Sequence, residues 1–454
     1  MAASSTKRLT EGKPLSLILG FSLPLLTGML FQQFYGLVDT IIVGKCLGTD
    51  ALAAVGSTGS INFLINGFCM GVCSGFAIPV AQRFGAKSYD SMRKYVSNGI
   101  ILSIIFAAVM TIIVSWQCRT ILEVMNTPAN IIDGAYSYIF IIFLGIPVTY
   151  LYNLTAGVMR SLGDSKTPVY FLLLASAINI ALDFTFILLF GMGVEGPAYA
   201  TVISQFIAGM GCLIYMVKKF TILKMQPGDW KLGKHHVSVL CSMGIPMGLQ
   251  YSITAIGSVI LQTAVNGLGS AAVAAMTAGS RLSMFIVCPF DALGSTMATY
   301  CGQNVGAKKI DRAREGIKVA TILGAIYSVI AFVAIWFVGR FMLLLFLDAT
   351  DVQIIGDARM FLLFNAGAYF LLACVNIYRF AIQGCGFSSF AIIAGVLEMI
   401  ARILAAWVLI PILGFKGACL ASPIAWLMAD AFLVPGFFYV CRKLDVRLNS
   451  EHRI

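Results

Sequence analysis

The sequence predicts an all-α membrane protein with about twelve transmembrane helices. Hydrophobic residues make up 59% of the 454 positions, charged residues make up only 11%, and the mean hydropathy is +0.90. A soluble globular domain is about 45–50% apolar and about 25% charged. Apolar runs of about 20 or more residues, each long enough to cross a bilayer as a helix, recur along the whole chain. These observations exclude a soluble globular fold.

The apolar runs define the helices in chain order. The run that begins at Leu15 follows a short polar N-terminus and is too long for the core of a signal peptide, so we expect it to be retained as the first helix. The longest internal polar stretch, residues 218–236, contains Pro227 and Gly228 and separates the sixth run from the seventh. The expected spans are 15–43, 52–82, 94–116, 131–158, 167–191, 196–217, 236–266, 272–302, 316–347, 354–382, 388–413 and 416–441.

Lysine and arginine are distributed unevenly between alternate loops. The chain has 31 of them and a net charge of +11, a balance that could suggest nucleic-acid binding. From span to span, however, 23 fall on one side of the membrane and five on the other, and three lie within helices. This asymmetry is the positive-inside pattern. It predicts that both termini lie in the cytoplasm, and it argues against a nucleic-acid partner. The expected location of this multi-pass protein is the plasma membrane (bacterial inner membrane).

The two sides of the central polar stretch resemble each other. Pro24 corresponds to Pro246 and Gln82 to Gln303, and further matches follow in the same order with an offset of 221–222 residues. The correspondence predicts a duplicated six-helix unit, with both copies in the same orientation because six helices return the chain to its starting side. In transporters, substrate sites tend to lie between repeats of this kind. The expected domains are an N-terminal six-helix bundle (1–217), a cytoplasmic linker (218–235) and a C-terminal six-helix bundle (236–454).

A carboxylate lies deep in the first predicted helix. Asp39 is roughly 36 Å along that helix, and a lone acid inside a bilayer costs roughly 2.5–3.5 kcal/mol on insertion scales, which marks it as a functional candidate. Asn179 and Asp183 are four positions apart and share one face of the fifth helix. Thr201 lies about one turn into the sixth helix. Their depths place these side chains in the outer half of the first bundle.

Two carboxylates, an amide oxygen and a hydroxyl together suit one small cation. They are oxygen ligands of the kind that hard cations prefer. They suit a proton equally well, because two close carboxylates in a low dielectric cannot both ionise cheaply. The alternative is that each aspartate only hydrogen-bonds a neighbouring helix.

Six segments, spread over both halves, share their motifs with one family of transporters. They are Pro24 through Asp39 to Gly44, Leu47 to Gly56, Gln82 to Lys87, Arg160 to Pro168, Gly193 to Ala198 and Gly302 to Ala307. As a set these motifs are specific, and the chain is similar over nearly its whole length to the MATE (multidrug and toxic compound extrusion) family. The resemblance implies a V-shaped pair of pseudo-symmetric six-helix bundles that exports organic compounds in exchange for a cation. The H⁺ or Na⁺ site that it implies consists of Asp39, Asn179, Asp183 and Thr201.

The second half departs from part of that family. Some members carry a glutamate in the seventh helix a few residues after the proline, whereas residues 246–254 contain no acid here. We therefore expect cation coupling to rest on the first half, as in the DNA-damage-inducible-type branch of the family. Pro24 removes a backbone hydrogen bond within the first helix. It either only shapes that helix or is a candidate hinge.

Polar and aromatic side chains within the spans are candidates for holding the substrate. Aromatic faces can bind a cationic, amphipathic molecule through cation–π contacts; the alternative is that they pack against helices or lipid. The candidate substrate-binding residues are Gln33, Phe34, Tyr138, Asn153 and Asp291.

Other charges also fall within the predicted spans. Glu398 and Arg402 are four positions apart and are expected to pair. Three further charges either line the central cavity or pair across helices: Arg281, Asp291 and Asp430. Arg379, near the expected cytoplasmic end of its helix, is expected to extend its charge toward water.

The expected function is secondary active multidrug efflux: export of organic, cationic or amphipathic compounds in exchange for H⁺ or Na⁺ by alternating access. We expect a monomer in the lipid bilayer, with small organic substrates and no cofactor. A lipid or glycolipid flippase of the same superfamily is the alternative, which a cavity rich in arginine would favour. An enzyme is not expected, because the chain has no HExxH motif and no nucleophile-with-base pattern. A channel is disfavoured because the acids are grouped in one half and do not form a ring.

Overall fold

Helices account for nearly all of the regular structure in the computed structural model, which describes residues 7–125, 127–347 and 350–451. The helices are α1 Pro14–Leu47, α2 Thr49–Ser57, α3 Gly59–Gly85, α4 Tyr89–Val124, α5 Ile132–Leu144, α6 Ile146–Ser161, α7 Lys166–Phe184, α8 Glu195–Lys219, α9 Lys234–Asn266, α10 Ser270–Gly306, α11 Ile310–Leu343, α12 Val352–Gly367, α13 Tyr369–Gly384, α14 Ser389–Leu404, α15 Ile410–Leu413 and α16 Phe415–Glu451. No strand occurs within the described ranges. The predicted all-α fold is confirmed.

Ten helical stretches within the described residues are long and apolar enough to cross a membrane, and two bent helix pairs bring the number of spans to 12. The bent pairs are α5 with α6, at 45°, and α12 with α13, at 51°. Both had been expected as continuous spans, 131–158 and 354–382. In the first pair Pro147 stands in the first turn of α6, and because proline has no N–H to donate, α5 cannot continue regularly through it.

The helices form two compact units whose boundaries fall beside two prolines. Among the described residues, unit 1 comprises Lys7, Arg8 and Leu23–Gly248, and unit 2 comprises Leu9–Ser22 and the residues from Leu249 to Glu451. The first turns of α1 therefore belong to unit 2, and the first half of α9 belongs to unit 1. Pro24 lies inside α1 and Pro246 inside α9, each within two or three residues of the change of unit.

Hydrogen bonds attach the segment before α1 to unit 2. The Leu9 N–H donates to Gln303 Oε1 at 2.8 Å, and Asn304 Nδ2 donates to the Leu9 carbonyl at 3.3 Å. Lys309 Nζ donates to the Thr10 carbonyl at 3.0 Å. Leu9 and Thr10 are both buried. Since buried backbone groups need partners, these side chains on and just after α10 hold the start of the chain in place.

Glycines let α3 and α9 approach closely within unit 1. Gly71 and Gly75 are one turn apart on α3, and Gly244 and Gly248 are one turn apart on α9. A Cβ atom on Gly71 would lie 2.5 Å from the Met247 carbonyl oxygen, and one on Gly75 would lie 2.5 Å from the Gly244 Cα. Small residues at this spacing allow two membrane helices to pack backbone against backbone.

An ion pair fixes the segment between α8 and α9 to α4. Arg93 Nε donates to Asp229 Oδ2 at 3.0 Å, and the Gln226 N–H donates to the same oxygen at 2.9 Å. Burial opposes the charge of Asp229, but these hydrogen bonds outweigh it, so the pKa of Asp229 lies below its ordinary value of 3.8.

The second half repeats this arrangement. Arg314, at the start of α11, binds Asp311 at 2.7 Å and also pairs with Asp445 near the end of α16. Arg93 also pairs with Asp90. In each half, therefore, an arginine on the third span of the repeat contacts an aspartate three residues before it and a second aspartate that follows or ends the last span. The two arginines correspond at the repeat offset, whereas Asp229 and Asp445 do not, so the duplication accounts for the arginine and not for its distant partner.

Replacing Asp229 with asparagine is expected to lower the free energy of unfolding by about 1–3 kcal/mol, because it removes a hydrogen-bonded charge from a buried position. The folded-state pKa is depressed, so the stabilisation is present above the unfolded value and is lost as the pH falls below about 4. Thermal unfolding in detergent, followed from neutral pH to about pH 3, should show a smaller acid-induced loss in the variant than in the wild type.

The matched control is Asp311→Asn, because the Asp311 side chain is 96% exposed and exposed ion pairs contribute little, about 0–1 kcal/mol. Equal destabilisation by the two substitutions would contradict a special role for Asp229.

Candidate functional site

Asp39 reaches the interior of unit 1 from the part of α1 that follows Pro24. Its side chain is half-buried, and Oδ1 is fully buried and accepts no hydrogen bond from any residue that the structure describes. A buried oxygen without a donor is costly in a membrane span. Asp39 Oδ1 is therefore available to a ligand, such as a cation, that the described side chains do not supply.

Asn179 and Asp183 project from the last two turns of α7. Both side chains are buried, with 1% and 0% of their surface exposed. The helix widens immediately afterwards into a π-helical segment, Thr185–Leu189, and Thr185 Oγ1 donates to the Ala181 carbonyl at 2.7 Å. Such side-chain bonds compete with the helix backbone, and single π-turns are frequent at functional sites.

The four predicted cation-coupling residues come together between α1, α7 and α8. The carboxyl groups of Asp39 and Asp183 interact with each other. Asn179 Nδ2 lies 3.5 Å from Thr201 Oγ1, in a long hydrogen bond. The amide oxygen of Asn179 and both carboxylate oxygens of Asp183 are buried without a hydrogen-bond partner among the described residues, as is Asp39 Oδ1. The cluster thus has four uncommitted oxygens.

Uncommitted oxygens of this kind fit a small hard cation or a proton. Carboxylate, amide and hydroxyl oxygens are ligands for hard cations, and a proton on either carboxyl would let Asp39 and Asp183 hydrogen-bond to each other. In the part of the chain that the structure describes, no group of three or more His, Cys, Asp or Glu side chains could hold a metal ion. The donors of the cluster are oxygens, which suit hard cations, whereas nitrogen and sulfur ligands favour transition metals.

Two tyrosines lie within electrostatic reach of both acids. Tyr138, on α5, is buried and interacts with Asp39 and Asp183, and Tyr35 interacts with the same pair. Tyr138 had been predicted as a substrate residue, whereas Tyr35 had not been assigned to a site. The signal that could have identified Tyr35 is its spacing, because it is four residues before Asp39 on α1 and so shares its face.

The remaining substrate candidates are scattered. Gln33 is half-buried and Phe34 is 55% exposed. Asn153 Nδ2 donates to the carbonyl of Thr149 on its own helix at 2.8 Å. Asp291 lies in unit 2 and accepts a hydrogen bond from Asn376, so it does not belong to the acidic cluster of unit 1. Their assignment to a substrate stays a prediction.

The second half has no copy of the acidic cluster. With the repeat offset of 221–222 residues, the positions of Asp39, Asn179 and Asp183 are occupied by apolar residues, and that of Thr201 by a serine. The four equivalents are Leu261, Ile400, Leu404 and Ser422. The duplicated fold therefore carries this constellation once.

Comparison with known proteins places the chain in a family. The MatE family model matches residues 24–185 and 246–408, once in each half. The probable multidrug resistance protein YoeA of Bacillus subtilis (strain 168) is 30% identical over 373 residues, which cover 81% of this chain and 80% of the relative. The FAD transporter of Shewanella oneidensis is 24% identical over 418 residues, or 90% of this chain and 91% of that protein.

A solved structure shows the same fold. It is described as the outward-facing conformation of a multidrug resistance MATE family transporter, and it matches with a TM-score of 0.89 at 22% identity, over 96% of this chain and 97% of that one. The two family matches begin at Pro24 and Pro246 and together cover most of the sequence. The chain therefore belongs to the MATE family of transporters.

Proposed function

We propose that the protein is a secondary active antiporter that exports organic compounds, cationic or amphipathic, in exchange for H⁺ or Na⁺. The observation that carries this proposal is the cluster of four uncommitted buried oxygens around Asp39 and Asp183 in a family of transporters. The cargo class is supported by relatives named as multidrug resistance or export proteins in Bacillus subtilis and Staphylococcus aureus.

Binding of one cation changes the electrostatic state of the acidic cluster. A bound cation supplies positive charge that offsets the two carboxylates, and the cluster's own side chains supply the oxygens that hold it. Asp39 lies on the same helix as Pro24, at whose position α1 passes from unit 2 to unit 1. A change of contacts around Asp39 can therefore bias bending at Pro24, where a backbone hydrogen bond is missing.

The exchange of cargo for cation follows from the different conformations that the two ligands favour. If the cation binds one access state more tightly and the cargo binds the other, each promotes release of its counterpart without touching it. In this proposal the N-terminal acidic cluster supplies the coupling, and Pro24 supplies the hinge. The protein acts as a monomer in the plasma membrane, with both termini in the cytoplasm, as the distribution of lysine and arginine favours.

An organic anion is the second candidate cargo. The relative from Shewanella oneidensis is named as an FAD transporter, and unit 2 buries Arg379 and Arg402. Both arginines, however, approach Glu398, so their charges are already offset within the protein. The same contacts weaken the flippase alternative, which needs arginines free to bind a headgroup.

Dye efflux from vesicles is the direct test. Purified protein is reconstituted in liposomes with a cationic fluorescent dye, and a pH gradient and a Na⁺ gradient are imposed separately at equal membrane potential. We expect one of the two ion gradients to drive the dye against the concentration gradient of the dye. The same assay with FAD in place of the dye tests the anionic cargo. Dye movement that ignores both gradients would contradict the antiport proposal.

A further inference from the structure

A group of five buried or half-buried charged side chains lies on helices of unit 2, outside the coupling site proposed for unit 1. They are Asp291 on α10, Arg379 on α13, Glu398 and Arg402 on α14, and Asp430 on α16. Arg379, Glu398, Arg402 and Asp430 are 3–8% exposed, and Asp291 is half-buried. Charges buried this deeply inside membrane spans are rare and are usually functional.

Arg379 and Arg402 share one carboxylate. Arg379 Nη2 forms an ion pair with Glu398 Oε1, and Arg402 Nη2 lies 3.9 Å from Glu398 Oε2. Arg402 Nη1 also donates to the Thr254 carbonyl at 3.0 Å. The predicted pairing of Glu398 with Arg402 is present but is the longer contact. The expectation that Arg379 reaches water is wrong, because its side chain turns inward to Glu398.

Arg379 also connects these groups to the two aspartates. It interacts electrostatically with Asp430, Arg402 and Asp291. Asp291 Oδ1 accepts a hydrogen bond from Asn376 Nδ2 at 3.0 Å. The five charged side chains therefore form one charge network that spans four helices of unit 2.

Asp430 is the member of this network whose charge is least compensated. Both of its carboxylate oxygens are buried and accept no hydrogen bond from a described residue. The ionisable groups that interact with it are Arg379, Cys374 and Tyr378, all on α13. The charge of Arg379 is also shared with Glu398. A buried ionised carboxylate without hydrogen bonds is so costly that such a group normally becomes neutral.

The net charge of the network also indicates Asp430 as the group that takes up a proton. The network has three carboxylates and two guanidinium groups, so it carries one excess negative charge when all are ionised. Glu398 contacts both guanidinium groups and Asp291 accepts a hydrogen bond, whereas Asp430 has neither form of support. One proton on Asp430 makes the network neutral.

We propose that this charge network is a second protonation site of the protein, in which Asp430 carries one exchangeable proton. The proton adds to a carboxylate oxygen as an O–H bond and leaves to water by the reverse step, so no oxidant or reductant takes part. This proposal goes beyond the coupling proposed for unit 1, because it does not depend on which cation Asp39 and Asp183 bind. It uses residues with no counterpart in that cluster.

Infrared difference spectroscopy tests the proposal without measuring transport. The full-length protein in a lipid film is stepped between two pH values, in H₂O and in D₂O, and the carbonyl stretching band of protonated carboxyl groups is recorded. We expect Asp430→Asn to lack one component of this band, one that shifts in D₂O in the wild type. The double variant Asp39→Asn/Asp183→Asn is expected to keep that component, which separates it from the unit 1 site.

The control is Asp351→Asn, since Asp351 is exposed just before α12 and makes no capping hydrogen bond. It should leave the band unchanged. If Asp430→Asn does not fold, Asp430→Glu is used, and the component should move in frequency. An Asp430→Asn spectrum identical to that of the wild type, or a component that Asp430→Glu leaves in place, overturns the proposal.

Discussion

Replacing Asp39 or Asp183 with asparagine is expected to lower gradient-driven efflux by roughly 5- to 150-fold, the range of a typical coupling free energy between two sites. Asparagine keeps the size of the side chain but cannot take up or release a proton and offers a cation one neutral oxygen. Since the two carboxyl groups interact with each other, either substitution removes the paired charge. Efflux of a fluorescent dye from proteoliposomes under the gradient that drives the wild type measures the effect.

Binding and coupling have to be separated in that experiment. Dye binding measured at equilibrium, without a gradient, is expected to change much less than efflux, because the acidic cluster acts through the conformation. The matched control is Asp50→Asn, an exposed acid at the start of α2 in the same unit. If Asp39→Asn still shows undiminished, cation-dependent efflux, the cluster does not have the proposed coupling role.

Replacing Gly75 with alanine is expected to destabilise unit 1 by about 1–3 kcal/mol or more, as overpacking of a tight interior does. The added Cβ atom would lie 2.5 Å from the Gly244 Cα and 2.6 Å from the Met243 carbonyl oxygen. Both are backbone atoms of α9, so no side chain can rotate away and the helices must separate. The midpoint of thermal unfolding, followed by the amount of monodisperse protein on a size-exclusion column, should fall.

Gly59→Ala provides the matched control on the same helix. Gly59 begins α3, and an added Cβ there would meet nothing within 4 Å. Alanine has the higher helix propensity, so this variant should be as stable as the wild type or slightly more so. Equal stability of the two alanine variants would mean that α3 and α9 do not approach as closely as described.

Local patterns were sufficient to predict the parts of the site that lie on one helix. The length and hydropathy of the apolar runs predicted the spans, because any helix that crosses a bilayer needs about 20 apolar residues. The four-residue spacing of Asn179 and Asp183 placed both on one face of α7, and their burial agrees with that face. The same spacing relates Tyr35 to Asp39 and places both on one face of α1.

The duplication was likewise readable from the sequence, because it is a linear correspondence with a constant offset. It did not predict which half carries which charges. Arg379 was placed near water by its position along the helix, whereas its partner Glu398 lies on the neighbouring helix and draws it inward. The depth of a residue along its own helix cannot reveal such a partner.

The sequence by itself determined the membrane class, the duplicated order of helices and the acids of the candidate coupling site. Only the tertiary structure decided that α1 and α9 each divide between two units, that two of the spans are bent at Gly145 and Ala368 into pairs of shorter helices, and that glycines on α3 and α9 meet. The physical reason is that hydropathy and spacing are properties of one helix. The rotation, tilt and close approach of two helices depend on side chains far apart in the chain, whose contacts exist only once the helices pack.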